Sequence, residues 1–468
     1  MEERGVAYAE EKVRVLPASN FNNDDIDACL RVLQQVADDP ALIDDNPRFK
    51  ALVAKIHTRG KRASRLNARA QERQTDRALR MTSTVASAQI GPAVALPAPE
   101  TGHGRELIRP VPCYICKASF TSVHHFYHML CPDCAAINFA KRTQRANLHG
   151  RTALVTGGRI KIGFQIVLNL LRDGARVIVT TRFPVDAARR FDAEPDAYEW
   201  RYRLEVHALD LRNLPSVEEF AAGLVDREPA LDIVINNAAQ TVKRPLAYYR
   251  ELLEGEFLPS GRTELARRAE PVLLEARDGY PGFDSPAEYF PSGLTDVDGQ
   301  PLDLRPENSW RLRLGEVGTV EMVETMLVNA AAPFILNSRL KPLLISSSHV
   351  RRFVVNVSAM EGQFGRETKT PNHPHTNMAK AALNMMTRTS AQDYRQDGIY
   401  MTSVDTGWIT DENPFETKCG IRERHGFFTP LDVIDGAARV YDPVVRGVND
   451  DCEPDFGVFL KDYAPYAW

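Results

Sequence analysis

Four cysteines form two CxxC pairs, Cys113 with Cys116 and Cys131 with Cys134, and fourteen residues separate the pairs. Two such turns can bring four thiolates to one point, which is the donor set of a tetrahedral zinc site. A redox motif needs only one CxxC pair, so the second pair favours metal binding. Four thiolates leave no open position for water, and we therefore predict a structural zinc ion.

The segment after the second cysteine pair, residues 135–145, has a helical pattern. It resembles the continuation of treble-clef and ribbon zinc modules, which mostly bind other molecules. We therefore expect a protein partner for this module. His124, His125 and His128 lie between the pairs, and we expect them on the surface or in packing because the thiolates already complete the site.

A glycine-rich turn directly follows a short apolar segment, Thr152 to Thr156. The turn reads Gly-Gly-Arg-Ile-Lys-Ile-Gly from Gly157 to Gly163, and an amphipathic helical pattern comes next. Glycine permits a tight turn and the close approach of a pyrophosphate, whose charge the N–H groups at the helix start can bind. A lone glycine turn is weak evidence, so the surrounding elements decide its meaning.

Apolar strand-like segments recur along the chain and alternate with helical patterns. They lie at residues 152–156, 176–181, 204–209, 232–235, 353–357 and 399–404. This alternation predicts an α/β fold with a doubly wound parallel sheet, the Rossmann architecture.

In that context the sequence resembles the short-chain dehydrogenase/reductase family over residues 149–468. Three motifs carry the resemblance: Thr156-Gly157 followed by Ile162-Gly163, Asp210-Leu211 after the third strand, and Asn236-Asn237-Ala238-Ala239 after the fourth. The resemblance implies that Asp210 contacts the adenine and that Asn237, Ala238 and Ala239 lie along the cofactor. Lys161 and Ala239 stand where the family commonly has glycine.

The end of the second strand bears on cofactor choice. A carboxylate there would bind the ribose hydroxyl of NAD, but this chain has Arg182, with Arg159 in the glycine turn as a second cation. Both can form charge-assisted hydrogen bonds with a 2′-phosphate, which favours NADP over NAD. The alternative is that Arg182 only points to solvent.

The resemblance implies an active site of asparagine, serine, tyrosine and lysine. Three positions match, as Asn329, Ser358 and Lys380, and Lys380 would also hold the nicotinamide ribose. The tyrosine position, four residues before the lysine, is Thr376. A threonine hydroxyl is too weak an acid to replace a tyrosine of lowered pKa. Gly407 belongs to a segment resembling the one that contacts the nicotinamide.

His375 stands beside this substituted position, and His373 lies two residues earlier. Imidazole titrates near neutrality, so His375 is a candidate replacement acid. The alternatives are that these histidines are incidental or that activity has been lost. Two functions follow: an NADP-dependent oxidoreductase acting on an unknown carbonyl or alcohol, or an inactive dinucleotide-binding sensor or scaffold that uses the zinc module and a basic arm.

Four regions must position these residues. Residues 1–80 are predicted to be helical and, after residue 58, rich in arginine, with Gly60 interrupting the helix. Residues 81–110 are predicted to be a linker, residues 111–148 the zinc module, and residues 149–468 the Rossmann domain. An insertion at 243–318, rich in aromatic side chains, would emerge beside the ligand crevice as a lid, the alternative being a surface elaboration or oligomer contact.

Composition bounds these functions. The 468 residues carry a formal net charge of −4, which argues against nucleic-acid binding by the whole chain. No uninterrupted apolar run reaches the length that crosses a bilayer, and the first thirty residues lack a signal-peptide pattern. We expect a cytoplasmic homo-oligomer that acts on a small molecule and binds no membrane.

Overall fold

The computed structural model describes residues 22–89, 105–257, 287–296, 298–366 and 369–468. The chain divides into two compact units, residues 1–74 and 75–468. The first unit contains helix α1 (Asn23–Asp38) and most of helix α2 (Pro47–Met81). Helix α2 continues through Gly60, so the predicted interruption is wrong. One glycine in a helix costs only about 1 kcal/mol relative to alanine, and the helix can absorb it.

Both ends of the predicted linker are ordered. Helix α3 (Thr84–Ala88) buries Val85 and Ala86, and strand β1 (Glu106–Pro112) begins before residue 110. The structure therefore contradicts the linker prediction at residues 84–88 and 106–110, because those segments contribute to a core and a sheet. Residues 90–104 lie outside the described residues.

Strand β1 pairs antiparallel with β2 (Ser119–Ser122), and helix α4 (Pro132–Lys141) follows. This small hairpin and helix carry the paired cysteines.

The main sheet has eight strands in the order β10-β9-β8-β7-β6-β3-β4-β5. All neighbouring strands are parallel except β9 and β10. The strands are β3 (Thr152–Thr156), β4 (Arg176–Thr181), β5 (Leu204–Ala208), β6 (Ile233–Asn236), β7 (Arg352–Ser358), β8 (Ile399–Asp405), β9 (Phe459–Lys461) and β10 (Ala464–Tyr466). The predicted α/β fold and its six strands are confirmed. Strands β9 and β10 were not predicted, since three residues are too few to show an alternating pattern.

Helices cover both faces of this sheet. They are α5 (Lys161–Arg172), α6 (Pro184–Asp192), α7 (Ala197–Trp200), α8 (Leu214–Arg227), α9 (Arg250–Phe257), α10 (Thr319–Met326), α11 (Ala332–Ile345), α12 (Pro374–Gln396), α13 (Phe415–His425) and α14 (Val433–Asn449). Side chains alternate between the faces of a strand, so Val155 enters a core with α5, α6 and α14, whereas Leu154 enters a core with α8, α11 and α12. Strand β3 pairs with both β4 and β6, which places its carboxyl end at the centre of the sheet's ligand crevice.

Residues 319–345 form one continuous helical stretch in which a π-turn (Leu327–Ala331) joins α10 to α11. By length and mean hydropathy, 1.3, this stretch could cross a membrane, although no uninterrupted apolar run had suggested it. Such a match is weak evidence, because core helices pass the same test, and Leu336 and Leu340 are buried in the domain core. The expected absence of a membrane partner stays a prediction.

Candidate functional site

The glycine turn adopts the backbone that its residue types allow. Gly157 has φ +69°, and a Cβ on Gly163 would lie 2.2 Å from the Gly157 carbonyl oxygen. Lys161, at the position where glycine was expected, has φ +54°, a left-handed conformation uncommon for lysine. Its ammonium lies 3.4 Å from a carboxylate oxygen of Asp298 in the insertion. The turn therefore keeps its geometry and gains a cation.

The side chain of Asn237 connects the glycine turn to the end of β6 by hydrogen bonds. Its side-chain amide donates to the carbonyl oxygens of Thr156 and Gly157, at 3.1 Å each. The hydroxyl of Thr156 accepts from the backbone N–H groups of Asn237 and Ala238, also at 3.1 Å. These bonds hold the carboxyl ends of two neighbouring strands together.

A cavity of about 410 Å³ opens at this edge of the sheet. Ten of the predicted cofactor residues line it: Gly157, Arg159, Ile162, Gly163, Arg182, Asp210, Leu211, Asn237, Ala238 and Ala239. Lys380 and Gly407 are not among its lining residues. The cavity thus joins the glycine turn, the end of β4 and the asparagine motif, while the assignment of these residues to a cofactor stays a prediction.

The insertion contributes to the same cavity. Tyr248, Tyr249, Asp296 and Gln300 line it together with the predicted residues. Tyr248 and Tyr249 are among the aromatic residues that marked the insertion in the sequence, whereas no pattern pointed to Asp296 or Gln300. Tyr280 and Phe283, which also contributed to the prediction of a lid, lie outside the described residues.

The two arginines predicted to select the cofactor differ in their surroundings. Arg182 donates to the hydroxyl of Tyr249 at 2.9 Å, and its guanidinium lies 4.9 Å from the centre of that ring. Among the described residues no carboxylate pairs with Arg182. Arg159 is buried, and its guanidinium donates to Asp186 at 2.7 Å and also to Gln300. Of the two arginines, Arg182 is therefore the one whose guanidinium could bind a 2′-phosphate.

Asp210 carries a strong ion pair that the sequence did not suggest. The guanidinium of Arg212 donates to both of its carboxylate oxygens, the shortest contact being 2.6 Å. Burial opposes the charged form of Asp210, but Arg212 outweighs burial and lowers the pKa of this carboxyl. Arg212 also lines the cavity.

Ser358 does not line the cavity. Its hydroxyl lies 2.6 Å from the Asn384 side-chain oxygen on α12, and the residue is 2% exposed. Asn356 bonds to Thr387 of the same helix at 2.9 Å, so both residues face α12. The next position along the chain, Ala359, has no hydroxyl. In this structure, the predicted catalytic serine is thus occupied in holding β7 to α12.

Lys380 is fully enclosed. Its ammonium donates to the carbonyl oxygen of Val357 at 2.8 Å, and burial lowers its pKa to about 8. Thr376 lies one turn earlier on α12, and its hydroxyl is buried without a hydrogen-bond partner among the described residues. Position 376 thus carries a buried threonine hydroxyl where the family resemblance implies a tyrosine.

His375 is buried beside Glu321 of α10. Its Nε2 lies 3.7 Å from a carboxylate oxygen of Glu321, and neither ring nitrogen has a hydrogen-bond partner within the described part of the chain. Burial lowers the pKa of His375 and raises the pKa of Glu321, so both neutral forms are favoured. Buried polar atoms without partners are uncommon and call for a water or ligand. No sequence pattern pointed to Glu321.

The π-turn presents Asn329 to the loop after β6. Its side-chain oxygen accepts from the N–H of Gln240 at 2.7 Å, and its amide donates to the carbonyl oxygen of Gln240 at 3.0 Å. Such π-turns often occur at functional sites because they redirect one side chain. Asn329 is therefore held in place by the segment that follows the asparagine motif.

The four paired cysteines come together. All four sulfur atoms lie within 4.8 Å of one another, and the Sγ atoms of Cys116 and Cys131 are 3.6 Å apart. Zn–S bonds of about 2.3 Å in a tetrahedron need sulfurs about 3.8 Å apart. The N–H of Cys131 donates to Cys113 Sγ at 3.3 Å. The donor set and its spacing fit a four-thiolate zinc ion. Of the three histidines between the cysteine pairs, His128 is buried, and its Nε2 lies 3.3 Å from the carbonyl oxygen of Phe428 rather than in the cysteine cluster.

Comparison with known proteins agrees with this fold. The short chain dehydrogenase family matches residues 151–252. An uncharacterized protein, R665 of Acanthamoeba polyphaga mimivirus, is 33% identical over 346 residues, which are 71% of this chain and 71% of that protein. Human dehydrogenase/reductase SDR family member 13 is 42% identical over 93 residues, 20% of this chain and 24% of that protein. The chain belongs to the short-chain dehydrogenase/reductase family.

Among solved structures, an NADPH-bound carbonyl reductase from chicken fatty liver is 19% identical, with a TM-score of 0.42, and the match covers 69% of this chain and all of that one. The human relative is matched over only a quarter of its length. The activity and substrate of the whole protein are therefore matters for proposal.

Proposed function

We propose that this protein is an NADP-dependent oxidoreductase that acts on a carbonyl or alcohol group of a small molecule. Arg182 carries the proposal, because it lines the dinucleotide cavity and has no carboxylate partner among the described residues. A 2′-phosphate there would form charge-assisted hydrogen bonds with the guanidinium. When bound, NADP would accept or supply the hydride.

The chain's own residues would bind and orient the reactants. Gly157, Gly163 and the start of α5 would hold the pyrophosphate, and Asn329 would keep the loop after β6 in place. Lys380 would hold the nicotinamide ribose after turning from the Val357 carbonyl. The balancing proton would start on the carboxyl of Glu321, whose pKa burial raises, and pass through the neutral imidazole of His375, whose Nε2 lies 3.7 Å from that carboxyl.

A second function is favoured by two observations. The Ser358 hydroxyl is occupied by Asn384, and Thr376 replaces the tyrosine. A protein with both features could bind the dinucleotide without turning it over, as a sensor or scaffold whose zinc module and arginine-rich helix bind a partner. The two functions share the cofactor and differ in the proton step.

The deciding experiment measures NADPH oxidation over a panel of aldehydes and ketones. Wild type is compared with His375→Ala, with Thr376→Tyr and with Thr376→Tyr combined with Ala359→Ser. The oxidoreductase proposal expects turnover by wild type and its loss in His375→Ala, with NADPH affinity retained. Absence of turnover in every protein, with NADPH still bound, would support the sensor.

We also propose that the four thiolates hold a structural zinc ion. Their mutual spacing fits tetrahedral coordination, and the hairpin and helix that carry them are too short to form a core without help. Metal analysis of the purified chain should find one zinc per chain. Cys116→Ser should lower that content and the melting temperature, whereas Cys452→Ser, at an exposed cysteine outside the cluster, should change neither.

A further inference from the structure

The cysteine module and the dinucleotide site share one apolar core. The module contributes Phe120, Tyr127 and Leu130, and the Rossmann domain contributes Ile162, Ile409 and Leu431. Ile162 belongs to the glycine turn, and Ile409 follows the loop after β8 that contains Gly407. The core of the metal module therefore reaches the glycine turn, which lines the cavity, and the loop at Gly407, which the family resemblance assigns to the nicotinamide.

A hydrogen bond ties the first cysteine turn to that loop. The N–H of Trp408 donates to the hydroxyl of Tyr114 at 2.9 Å, and Tyr114 lies between Cys113 and Cys116. Leu431 packs closely against the same loop, because a Cβ atom on Gly407 would lie 2.6 Å from Cδ1 of Leu431. The loop thus rests on a surface whose shape depends on the cysteine turn.

Charged and polar contacts fix the module to α14. Tyr127 donates to Asp435 at 2.5 Å, and Arg142 binds Asp432 at 2.7 Å and Asp435 at 2.9 Å. Asp432 and Asp435 form the capping box that starts α14. A change in the module would therefore move the start of α14 as well as the loop.

We propose that metal binding to Cys113, Cys116, Cys131 and Cys134 is coupled to dinucleotide binding, with Tyr114 as the positioning residue that transmits it. The metal fixes the cysteine turn, the turn fixes Tyr114, and Tyr114 holds the loop at Gly407 in its binding conformation. Coupling between two ligands is reciprocal, so the dinucleotide must also raise the affinity for the metal. This inference rests on the proposed dinucleotide site.

The test measures how zinc partitions at equilibrium between the full-length, zinc-loaded protein and a chelating dye, with and without saturating NADPH. NADPH should raise the zinc affinity of wild type about fivefold or more. Tyr114→Phe keeps every thiolate but cannot accept the hydrogen bond from Trp408. It should bind one zinc, bind NADPH about fivefold more weakly, and lose most of the NADPH effect on zinc affinity.

Tyr202→Phe is the matched control, because Tyr202 is 73% exposed and lies outside the shared core, and it should behave as wild type. If NADPH binds to wild type and leaves zinc affinity unchanged, this inference is overturned while the proposed function stands. An unchanged NADPH effect in Tyr114→Phe removes Tyr114 from the coupling. Failure of wild type to bind NADPH overturns both proposals.

Discussion

Arg182 lines the proposed dinucleotide cavity, and its hydrogen-bond partner is Tyr249. We predict that Arg182→Ala lowers NADPH affinity about tenfold to a hundredfold, the range for losing charge-assisted hydrogen bonds. NADH lacks the 2′-phosphate, so its affinity should change little. Fluorescence titration with both nucleotides measures this, with Arg395→Ala, a surface ion-pair residue, as the control. Equal losses for the two nucleotides would contradict phosphate recognition by Arg182.

The sequence identified Arg182 but could not distinguish it from Arg159. Both are cations at the expected strand end and turn. The two arginines differ in the partners of their guanidinium groups. Arg159 is bound by Asp186 and by Gln300, which is 141 residues away in the chain, whereas Arg182 is bound by Tyr249. Ser358 shows the same limit, since its hydrogen-bond partner, Asn384, lies 26 residues further on. Residue types follow from sequence patterns, whereas hydrogen-bond partners depend on the folded chain.

Lys380 gives a second prediction at this scale. Burial lowers its pKa to about 8, whereas the pKa of a lysine in an unfolded chain is about 10.4. Between these values the unfolded chain binds the proton and the folded chain does not, so the contribution of Lys380 to the free energy of unfolding rises with pH. That contribution is smallest below pH about 8 and is fully gained above about 10.4.

Urea denaturation of wild type and Lys380→Met at pH about 7.5 and about 9.5 tests this sign. The difference in unfolding free energy, wild type minus variant, should increase with pH. Other titrating groups are common to both proteins and cancel in the difference. The same difference at both values of pH would mean that Lys380 is not desolvated in solution.

Among the elements, the insertion connects the cavity to helix α12. Its Trp310 ring stacks on His373 at the start of α12, with ring centres 3.9 Å apart and planes at 7°. The carbonyl oxygen of Trp310 lies 2.8 Å from His373 Nδ1. Tyr249 and Gln300 of the same insertion line the cavity. The described part of the insertion therefore packs against the start of α12 and lines the cavity, while its role as a lid stays a prediction.

We predict that Trp310→Ala weakens this docking and lowers NADPH affinity about fivefold, since an aromatic stack contributes about 0.5 to 1.5 kcal/mol beyond its buried area. Limited proteolysis should cleave the insertion faster in the variant, and NADPH should protect it less than it protects wild type. Tyr198→Ala, at a tyrosine that is 71% exposed, is the control. Unchanged proteolysis and affinity would count against a lid.

Element prediction from sequence succeeded where apolar and β-branched residues form a run between turn residues. Such runs occur at β4 and β8, and the structure has strands at both. Helix α3 was missed because five residues within an alanine- and serine-rich stretch resemble a linker. Its burial comes from backbone bonds of Thr84 and Val85 to His125 and Phe126, contacts that local periodicity does not encode.

At the scale of the whole molecule, an apolar groove is exposed on the surface of the described residues. A groove of about 550 Å³ runs between α10, α11 and α12 and is lined by Val323, Phe334 and Met386 with their neighbours. Phe334 is 60% exposed, and Met378 and Met385 on α12 are more than half exposed. Exposed apolar patches of this kind mark interfaces, and a two-fold dimer would cover the same groove on both copies. We propose that this surface joins two copies of the chain.

Phe334→Glu should therefore convert the protein to a monomer, because each copy would bury an unpaired carboxylate in the centre of the interface. Analytical ultracentrifugation should give twice the 52.4 kDa chain mass for wild type and the single mass for the variant. Phe364→Glu changes a phenylalanine that is 86% exposed and does not line the groove, so it should remain dimeric. A monomeric wild type would exclude the dimer. If wild type then binds lipid vesicles and Phe334→Glu does not, the groove would be assigned to a membrane surface instead.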